Sequence, residues 1–167
     1  MVAARFPCNE EPMMTLTRPT LILLATLGSV ALLGGAFAFQ YIGGMAPCQL
    51  CLWQRWPHAA AAAIGLVVAL TGWRGLGWAG ALAALTTAAL GVYHTGVERG
   101  IFAGPDTCTS NAVAGLSPEA LMGQILNAPL IRCDEVAWSL LGLSMASWNA
   151  VLSLILAGIW VAVARRG

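Results

Sequence analysis

The 167-residue sequence contains no lysine, and only 9% of its residues are charged. Soluble domains carry about a quarter charged residues, so this scarcity excludes an ordinary water-exposed surface. Eight arginines and seven acids leave a net charge of +1, which provides no basic stripe for nucleic acid. Histidine is also rare, and neither His58 nor His94 belongs to a cluster with metal-ligand spacing. What remains is an apolar chain, 59% hydrophobic.

Four apolar runs dominate the chain, at residues 20–41, 56–71, 78–95 and 148–164. A bilayer core of about 30 Å requires about 20 helical residues at a rise of about 1.5 Å each. The second and third runs are somewhat short, and interfacial Trp, Tyr and His residues extend them. We therefore predict an all-α membrane protein, a bundle of four transmembrane helices with a long second outer loop that carries a short amphipathic helix.

The arginines divide unevenly between the two sides of this bundle. With a cytoplasmic N-terminus, five arginines lie inside (Arg5, Arg18, Arg74, Arg165, Arg166) and three lie outside (Arg55, Arg99, Arg132). The positive-inside rule favours this orientation. We predict one membrane domain, 1–167, with both termini in the cytoplasm. Its cytoplasmic segments are 1–19, 72–77 and 165–167, and its periplasmic loops are 42–55 and 96–147.

A cleavable signal peptide is the competing interpretation of the first apolar run. Arg18 precedes the run, and its end, Ala36-Phe37-Ala38, resembles a small-x-small cleavage site. The run is about twenty residues long, which exceeds the usual apolar region of a signal peptide. Its length favours a retained span.

Four of the five cysteines, Cys48, Cys51, Cys108 and Cys133, fall in the two periplasmic loops, whereas Cys8 falls inside. The periplasm is oxidising, so thiols that pair there are expected to cycle through disulfides. A zinc site would use two CxxC pairs and a c-type haem would need CxxCH, and neither pattern is present. Two structural disulfides remain an alternative, although a CxxC bridge closes a very small loop and stabilises a fold little.

The stretch APCQLCLWQRW gives the first cysteine pair a reactive setting. Pro47 interrupts the chain, so Cys48 and Cys51 are expected at the N-terminus of the second helix, where backbone N–H groups favour a thiolate. Arg55 lies one turn beyond Cys51 on the same helical face. It either extends to lipid headgroups or stabilises negative charge at Cys51. Charges at membrane depth are costly and usually functional, which favours the second role.

The second pair of cysteines lies on the long loop. Cys108 belongs to the turn-rich GPDTCTSN and is expected to be exposed. The following SPEALMGQIL predicts a short helix with Ser117 as N-cap and Pro118 in its first position, resting on the membrane surface. Cys133 comes next, in IRCDEVAW. Such a loop can present a disulfide to a soluble partner and carry a thiol back to the CxxC.

His94 lies at the outer end of the third run, and Glu98 is four residues further on, within pairing distance. A lone interfacial histidine is more often a plain hydrogen-bonding residue than a site residue. Its expected depth in the membrane, level with Arg55, keeps a functional role equally open.

Taken together, the chain resembles the disulfide bond formation protein B (DsbB) family, the quinone-dependent thiol oxidases of the bacterial inner membrane. The segments that carry the resemblance are PCQLCLWQR (47–55), YHTGVE (93–98), GPDTC ending at Cys108, RCDE around Cys133 and LGLSMASWN (141–149). A CxxC after the first span, followed by arginine and by a cysteine pair in the second outer loop, is a specific combination.

The resemblance implies a disulfide relay. A Cys108–Cys133 disulfide would oxidise a periplasmic thioredoxin-fold dithiol oxidase (DsbA-like), and Cys108 would be the sulfur attacked. Cys133 would then pass the reducing equivalents to Cys48 through a transient bridge between the loops. Cys51 would interact directly with bound ubiquinone or menaquinone.

The resemblance also implies three residues at the quinone. Arg55 would stabilise the thiolate–quinone pair, His94 matches a position near the quinone site of the family, and Glu98 is a further candidate. No metal is implied. The chain departs from some members at Gln54, where they carry an acid beside the arginine.

Three other functions compete with this one. An oxidoreductase like vitamin K epoxide reductase would place its CxxC late in the bundle and its loop pair early, the reverse of the order here. A transmembrane reductant carrier would need cysteines within its spans. A non-catalytic membrane subunit with structural disulfides would bind no quinone, and its Cys48–Cys51 bridge would resist mild reduction.

Overall fold

The computed structural model describes residues 16–105, 117, 122 and 132–166. These residues form helices α1 (Arg18–Tyr41), α2 (Gln49–Thr71), α3 (Leu76–Glu98) and α4 (Met145–Arg165), and a short hairpin, β1 (Ser139–Leu140) with β2 (Leu143–Ser144), directly before α4. The predicted all-α class is confirmed for these ranges. The helix predicted at residues 117–126 lies almost wholly outside the described residues, as do Cys8 and Cys108.

Three of the helices, α1, α3 and α4, are long and apolar enough to cross a membrane. The chain is therefore a helical membrane protein. Helix α2 does not reach the same apolarity, because its first half carries Gln54, Arg55 and His58. The predicted second span, residues 56–71, lies within this helix, and the count of four spans stays a prediction.

The ends of α2 follow from its sequence. Pro47 precedes the helix, and Cys48 is the N-cap, where its sulfur accepts a hydrogen bond from the backbone N–H of Cys51. At the other end Gly72 adopts a left-handed conformation with φ of 68°, which a glycine reaches without steric cost. The helix begins at Gln49 rather than at residue 56, which confirms the prediction that both cysteines lie at its N-terminus.

Helices α3 and α4 approach each other through small residues. A Cβ atom added to Gly77 would lie 2.9 Å from Ala164, and one added to Gly80 would lie 2.5 Å from the Trp160 ring. Apolar side chains gain little by leaving lipid for a protein interior, so such close approach is a main source of helix association in membranes. Around it lies the apolar cluster, which comprises Leu21, Ile22, Ala25, Val68, Ala81, Ala84, Leu156, Ala157, Trp160 and Val163.

The hairpin folds the chain back over the opposite end of the bundle. Leu141 and Gly142 both have positive φ, 53° and 78°, as a two-residue hairpin turn requires. The indole N–H of Trp148 donates to the Leu140 carbonyl at 3.0 Å and holds the hairpin on α4. Before the hairpin, Trp138 lies 5.2 Å from Phe39 of α1, measured between ring centroids. The hairpin region thus covers the end of the bundle at which the CxxC lies.

Candidate functional site

Cys48 and Cys51 form a close pair at the start of α2. Both are free thiols with their sulfurs 2.9 Å apart, and the backbone N–H of Cys51 donates to Cys48 Sγ at 3.2 Å. The hydrogen bond that the Cys48 thiol donates to Cys51 Sγ, together with burial, raises the pKa of Cys48. Cys48 therefore retains its proton, and Cys51 is the sulfur of the pair that takes negative charge.

Cys133 lies directly beside this pair. It packs with Cys48, Leu50 and Val97 in a buried group that we call the cysteine cluster, where Cys133 is 1% and Cys48 6% exposed. Cys133 is disulfide-bonded. Because Cys48 and Cys51 are free, the sulfur bonded to Cys133 lies outside the described residues. The structure thus brings a cysteine of the second loop to Cys48, a contact between residues 85 positions apart in the sequence.

An ion pair brackets Cys133. The guanidinium of Arg132 donates to both carboxylate oxygens of Asp134, at 2.9 and 2.5 Å. This hydrogen-bonded pair, more than charge alone, lowers the pKa of Asp134. Both side chains are exposed, so the pair contributes little to stability.

Arg55 turns toward α1. Its Nη1 donates to Gln40 Oε1 at 2.6 Å and its Nη2 to the Ala36 carbonyl at 3.3 Å, while the guanidinium lies 4.8 Å from the Phe37 ring centroid. Among the described residues its buried Nε has no hydrogen-bond partner. The terminal nitrogens of Arg55 are therefore held by α1, while its Nε is a buried donor without a partner among the described residues.

His94 joins the cysteine pair from α3. Its Nε2 lies 3.6 Å from Cys48 Sγ and its Nδ1 lies 3.0 Å from Gln54 Nε2. The ring also forms a hydrogen bond with the backbone of Cys133. A ring nitrogen of His94 and the two free sulfurs lie within 4.8 Å of one another, a spacing that metal ligands can share. The absence of a metal stays a prediction.

A chain of polar side chains continues from His94 into the bundle. Asn149 of α4 donates to Gln54 Oε1 at 2.6 Å and to Thr87 Oγ1 at 3.2 Å, and its Oδ1 lies 2.9 Å from His58 Nε2. Thr87 in turn donates to the Gln54 carbonyl at 3.3 Å. We call His94, Gln54, Asn149, Thr87 and His58 the polar chain. It satisfies polar groups that would be costly in an apolar interior.

A cavity of about 620 Å³ opens beside these residues. Its walls come from all four helices, the loop between α1 and α2 and the segment before the hairpin, and include Leu32, Phe39, Met45, Trp138 and Leu152. The polar groups that reach it include Cys48, Cys51, Arg55, His94 and Glu98. A mainly apolar space of this size with a few converging polar groups is typical of a small-molecule site.

The structure corrects one pairing and adds residues that the sequence did not single out. Among the described residues His94 does not pair with Glu98. Its ring nitrogens face Cys48 and Gln54, and Glu98 hydrogen-bonds Ser144 instead. Gln40, Thr87 and Asn149 were missed, although each is a polar residue within an apolar helix, which is a usable signal.

Comparison with known proteins agrees with this arrangement. Residues 18–163 match the family model described as Disulfide bond formation protein DsbB. The chain is 35% identical over 142 residues to Disulfide bond formation protein B of Methylococcus capsulatus, covering 81% of this chain and 87% of that protein. It is 29% identical over 158 residues to the protein of the same name from Hahella chejuensis, covering 87% and 92%.

The matched region contains α1, α2, α3, the CxxC and all but the last two residues of α4. The family implies a disulfide-forming oxidoreductase of the membrane, and the apolar helices and paired thiols described above fit that activity. The chain belongs to the DsbB family of membrane disulfide bond formation proteins.

Proposed function

We propose that the protein is a membrane protein-disulfide oxidase that reoxidises a periplasmic thioredoxin-fold dithiol oxidase and passes the electrons through two cysteine pairs to a membrane quinone. The observation that carries the proposal is that disulfide-bonded Cys133 and the free thiol Cys48 lie in one buried cluster. Thiol–disulfide exchange requires an attacking sulfur close to the sulfur attacked, and this cluster supplies that proximity.

The first exchange takes place on the second loop. A thiolate of the partner attacks Cys108 of a Cys108–Cys133 disulfide, forming a mixed disulfide and releasing Cys133 as thiolate. The second thiolate of the partner then attacks its own sulfur in the mixed disulfide, which releases Cys108 and leaves the partner oxidised. Two electrons now reside on Cys108 and Cys133.

The second exchange takes place at the cysteine cluster. The Cys133 thiolate attacks Cys48 of a Cys48–Cys51 disulfide, forming a Cys48–Cys133 bridge and releasing Cys51 as thiolate. Cys108 then attacks Cys133, which restores the Cys108–Cys133 disulfide and releases Cys48. After this step Cys48 and Cys51 are both thiols and Cys133 is again in a disulfide, which is the state of these three cysteines in the structure. Cys51 loses its proton before Cys48 does, and it is therefore the sulfur that donates electrons.

The electron acceptor binds in the 620 Å³ cavity. A quinone, when bound, accepts two electrons and two protons, and its apolar ring and tail suit a lipid-side cavity. Arg55 fits this ligand, because its buried Nε is the donor without a protein partner among the described residues. Cys51 and Arg55 both line the cavity, so the guanidinium can hold negative charge next to Cys51. His94 and Glu98 line the same space and are the further binding residues.

The relay requires a definite orientation in the membrane. We propose that α2 is the fourth span, that both termini are cytoplasmic, and that the CxxC and the second loop face the periplasm. The five inner arginines support this orientation. A membrane-impermeant thiol reagent applied to spheroplasts after reduction should label single cysteines placed at residues 104 and 139 but not one placed at residue 74. Labelling at residue 74 alone would reverse the orientation.

A quinone-reduction assay on the purified protein tests the whole relay. Reduced thioredoxin-fold periplasmic oxidase is the electron donor, and the wild type is compared with Cys51→Ala, Arg55→Ala and Arg74→Ala. Arg74 is an exposed arginine in the turn between α2 and α3. It does not line the cavity and serves as the matched control. We expect turnover by the wild type and Arg74→Ala, none by Cys51→Ala, and a raised quinone KM for Arg55→Ala.

Absence of quinone reduction by a folded wild type, with several donors, would refute the oxidase. A Cys48–Cys51 bridge that then resisted mild reduction would favour a non-catalytic subunit with structural disulfides. Turnover in the reverse direction only, from a quinol to protein disulfides, would favour a reductant carrier.

A further inference from the structure

The amide of Gln54 has only one orientation that satisfies its neighbours. One end of it lies 3.1 Å from the Leu50 carbonyl oxygen, which can only accept, so that end must be the NH2 group. The other end lies 2.6 Å from Asn149 Nδ2, a donor, so it must be the oxygen. The Leu50 carbonyl thus assigns the amide, because a backbone carbonyl can only accept, and the orientation of Asn149 is consistent with that assignment.

This orientation decides which nitrogen of His94 carries the proton. The NH2 group of Gln54 also lies 3.0 Å from His94 Nδ1 and can only donate to it, so Nδ1 is the unprotonated nitrogen. The proton of the neutral ring is then on Nε2, which lies 3.6 Å from Cys48 Sγ. The ring donates its hydrogen bond to the Cys133 backbone through the same N–H, because Nδ1 is the acceptor, so Cys48 and Cys133 share this donor. Protonation of both nitrogens would set an N–H of His94 against the N–H of Gln54.

We propose that Gln54 holds His94 in the Nε2–H tautomer, so that His94 is a fixed hydrogen-bond donor to the sulfur of Cys48. His94 is then a catalytic residue for the exchange at Cys48, in addition to lining the cavity, and Gln54 is its positioning residue. The proposal rests on the relay described above for its chemistry, but the tautomer itself does not depend on a quinone or a partner.

The donor matters at the step in which Cys48 leaves. When Cys108 attacks Cys133 of the Cys48–Cys133 bridge, the Cys108–Cys133 bond forms, the Cys48–Cys133 bond breaks, and Cys48 receives the electron pair. Its sulfur then has two donors, the backbone N–H of Cys51 at 3.2 Å and His94 Nε2–H. Leaving ability in disulfide exchange rises as the leaving thiolate is stabilised.

The rest of the polar chain keeps Gln54 in place. Asn149 donates to Gln54 Oε1 and to Thr87, and its own oxygen faces His58 Nε2 and Ser153. Thr87 donates to the backbone carbonyl of Gln54. If the Gln54 amide were rotated by 180°, its oxygen would face the carbonyl oxygen of Leu50, and its NH2 group would face that of Asn149 unless Asn149 rotated as well. The donors and acceptors of α2, α3 and α4 are therefore assigned together.

The chain has only two histidines, which makes the tautomer directly measurable. Protein labelled with 15N-histidine is prepared in detergent micelles, and His94→Gln identifies the two rings by difference. We expect the His94 Nδ1 resonance to be that of an unprotonated acceptor and the Nε2 resonance that of an N–H. In Gln54→Glu the carboxylate can only accept, so Nδ1 should gain a proton. Thr86→Val, which removes an exposed hydroxyl from α3, should leave both rings unchanged.

A proton on Nδ1 in the wild-type protein would overturn the proposal outright. A His94 spectrum that is identical in Gln54→Glu and in the wild type would remove Gln54 from its role. Neither result depends on oxidase activity, so a failure here is distinct from a failure of the proposed function.

The consequence for Cys48 is measured in a background in which Cys8, Cys51, Cys108 and Cys133 are each replaced by Ala, so that Cys48 is the one cysteine of the sequence and cannot exchange. Thiolate absorbance against pH gives its pKa. His94→Leu removes the donor and should raise this pKa by about one to two units, the size of a hydrogen bond to a charged group. His94→Gln carries an N–H at a reach close to that of Nε2 and should reverse most of the shift. An unchanged pKa in His94→Leu would contradict the donor role.

Discussion

The two ends of the bundle are held together by different interactions. At one end, Trp160 and small residues of α3 and α4 pack without hydrogen bonds between side chains, and Gly80 lies directly against the indole. At the other end, side chains of α2, α3 and α4 meet through the polar chain, and the cysteine cluster lies beside it. At the first end there is no room for a larger side chain, whereas the second end depends on the direction of each hydrogen bond and on the charge of the groups that form it.

This difference separates stability from chemistry. Close packing in lipid depends on van der Waals contact and carries no information about proton positions. In a network of amides, hydroxyls and imidazoles, each group is either a donor or an acceptor toward its neighbour. If one group changes from donor to acceptor, its neighbours must change as well. Variants at the two ends should therefore change different observables, and the predictions below test that separation.

Cys48→Ala should have the largest effect, a complete loss of turnover in the quinone-reduction assay. Without this sulfur neither the bridge to Cys133 nor the bridge to Cys51 can form. The apolar cluster is remote from the substitution, but Cys48 is the N-cap of α2, so the free energy of unfolding in a titration with denaturing detergent should fall by about 1 kcal/mol. Residual steady turnover by this variant would show that electrons bypass Cys48.

Gly80→Ala should act in the opposite way, on stability alone. The new Cβ would lie 2.5 Å from the buried ring of Trp160, and overpacking of this kind typically costs about 1–3 kcal/mol. Gly158→Ala on α4 is the matched control, because its Cβ would meet nothing within 4 Å. The detergent titration should separate the two variants, while turnover per folded molecule equals that of the wild type in both. If the two variants had equal unfolding midpoints in the detergent titration, the close contact between α3 and α4 at Gly80 would be contradicted.

Asn149→Leu tests a residue of the polar chain at which we expect stability and turnover to change together. It leaves Gln54 Oε1 and Thr87 without their partner, and hydrogen bonds between membrane helices average about 0.6 kcal/mol each, so we expect a loss of about 1 kcal/mol. Because Gln54 loses its restraint, turnover should also fall, by a few fold. Both readouts should move together. A change in stability with unaltered turnover would confine this residue to a structural role.

The smallest change that we expect is in the titration of Cys48 when Cys51 is replaced by Ala, a readout that is independent of the loss of turnover expected above for this variant. In the dithiol, the hydrogen bond to Cys51 raises the pKa of Cys48 and keeps it a thiol. Removal of that acceptor lowers the pKa, so more thiolate is present at any pH below it. Alkylation of Cys48 by a small reagent should accelerate up to about tenfold for each unit of the shift. Slower alkylation than in the reduced wild type would contradict this sign.

Much of the molecule was predictable from local patterns. Apolar runs of membrane length gave the helices, since hydropathy is a property of one segment. Pro47 before the CxxC predicted that Cys48 and Cys51 begin α2, because helix capping is also local. The position of Arg55 one turn later followed from helical geometry alone.

The contacts between helices were not predictable in this way. Which residues of α2, α3 and α4 face one another depends on the rotation of each helix about its axis, and apolar residues on all sides leave that rotation undetermined. The α3–α4 contact at Gly77 and Gly80 restricts it, and with it the meeting of His94 and Gln54. The expected His94–Glu98 pair failed for the same reason, because partners on other helices lay nearer.

The sequence by itself determined an apolar helical protein with a reactive dithiol at a helix N-terminus, since composition, period and capping act within a few residues. Only the tertiary structure decided that Cys133 lies on Cys48, that Arg55 turns to Gln40, and that Gln54 faces His94. These pairs join residues 15 to 85 positions apart, and their meeting is set by how whole helices and a returning loop pack.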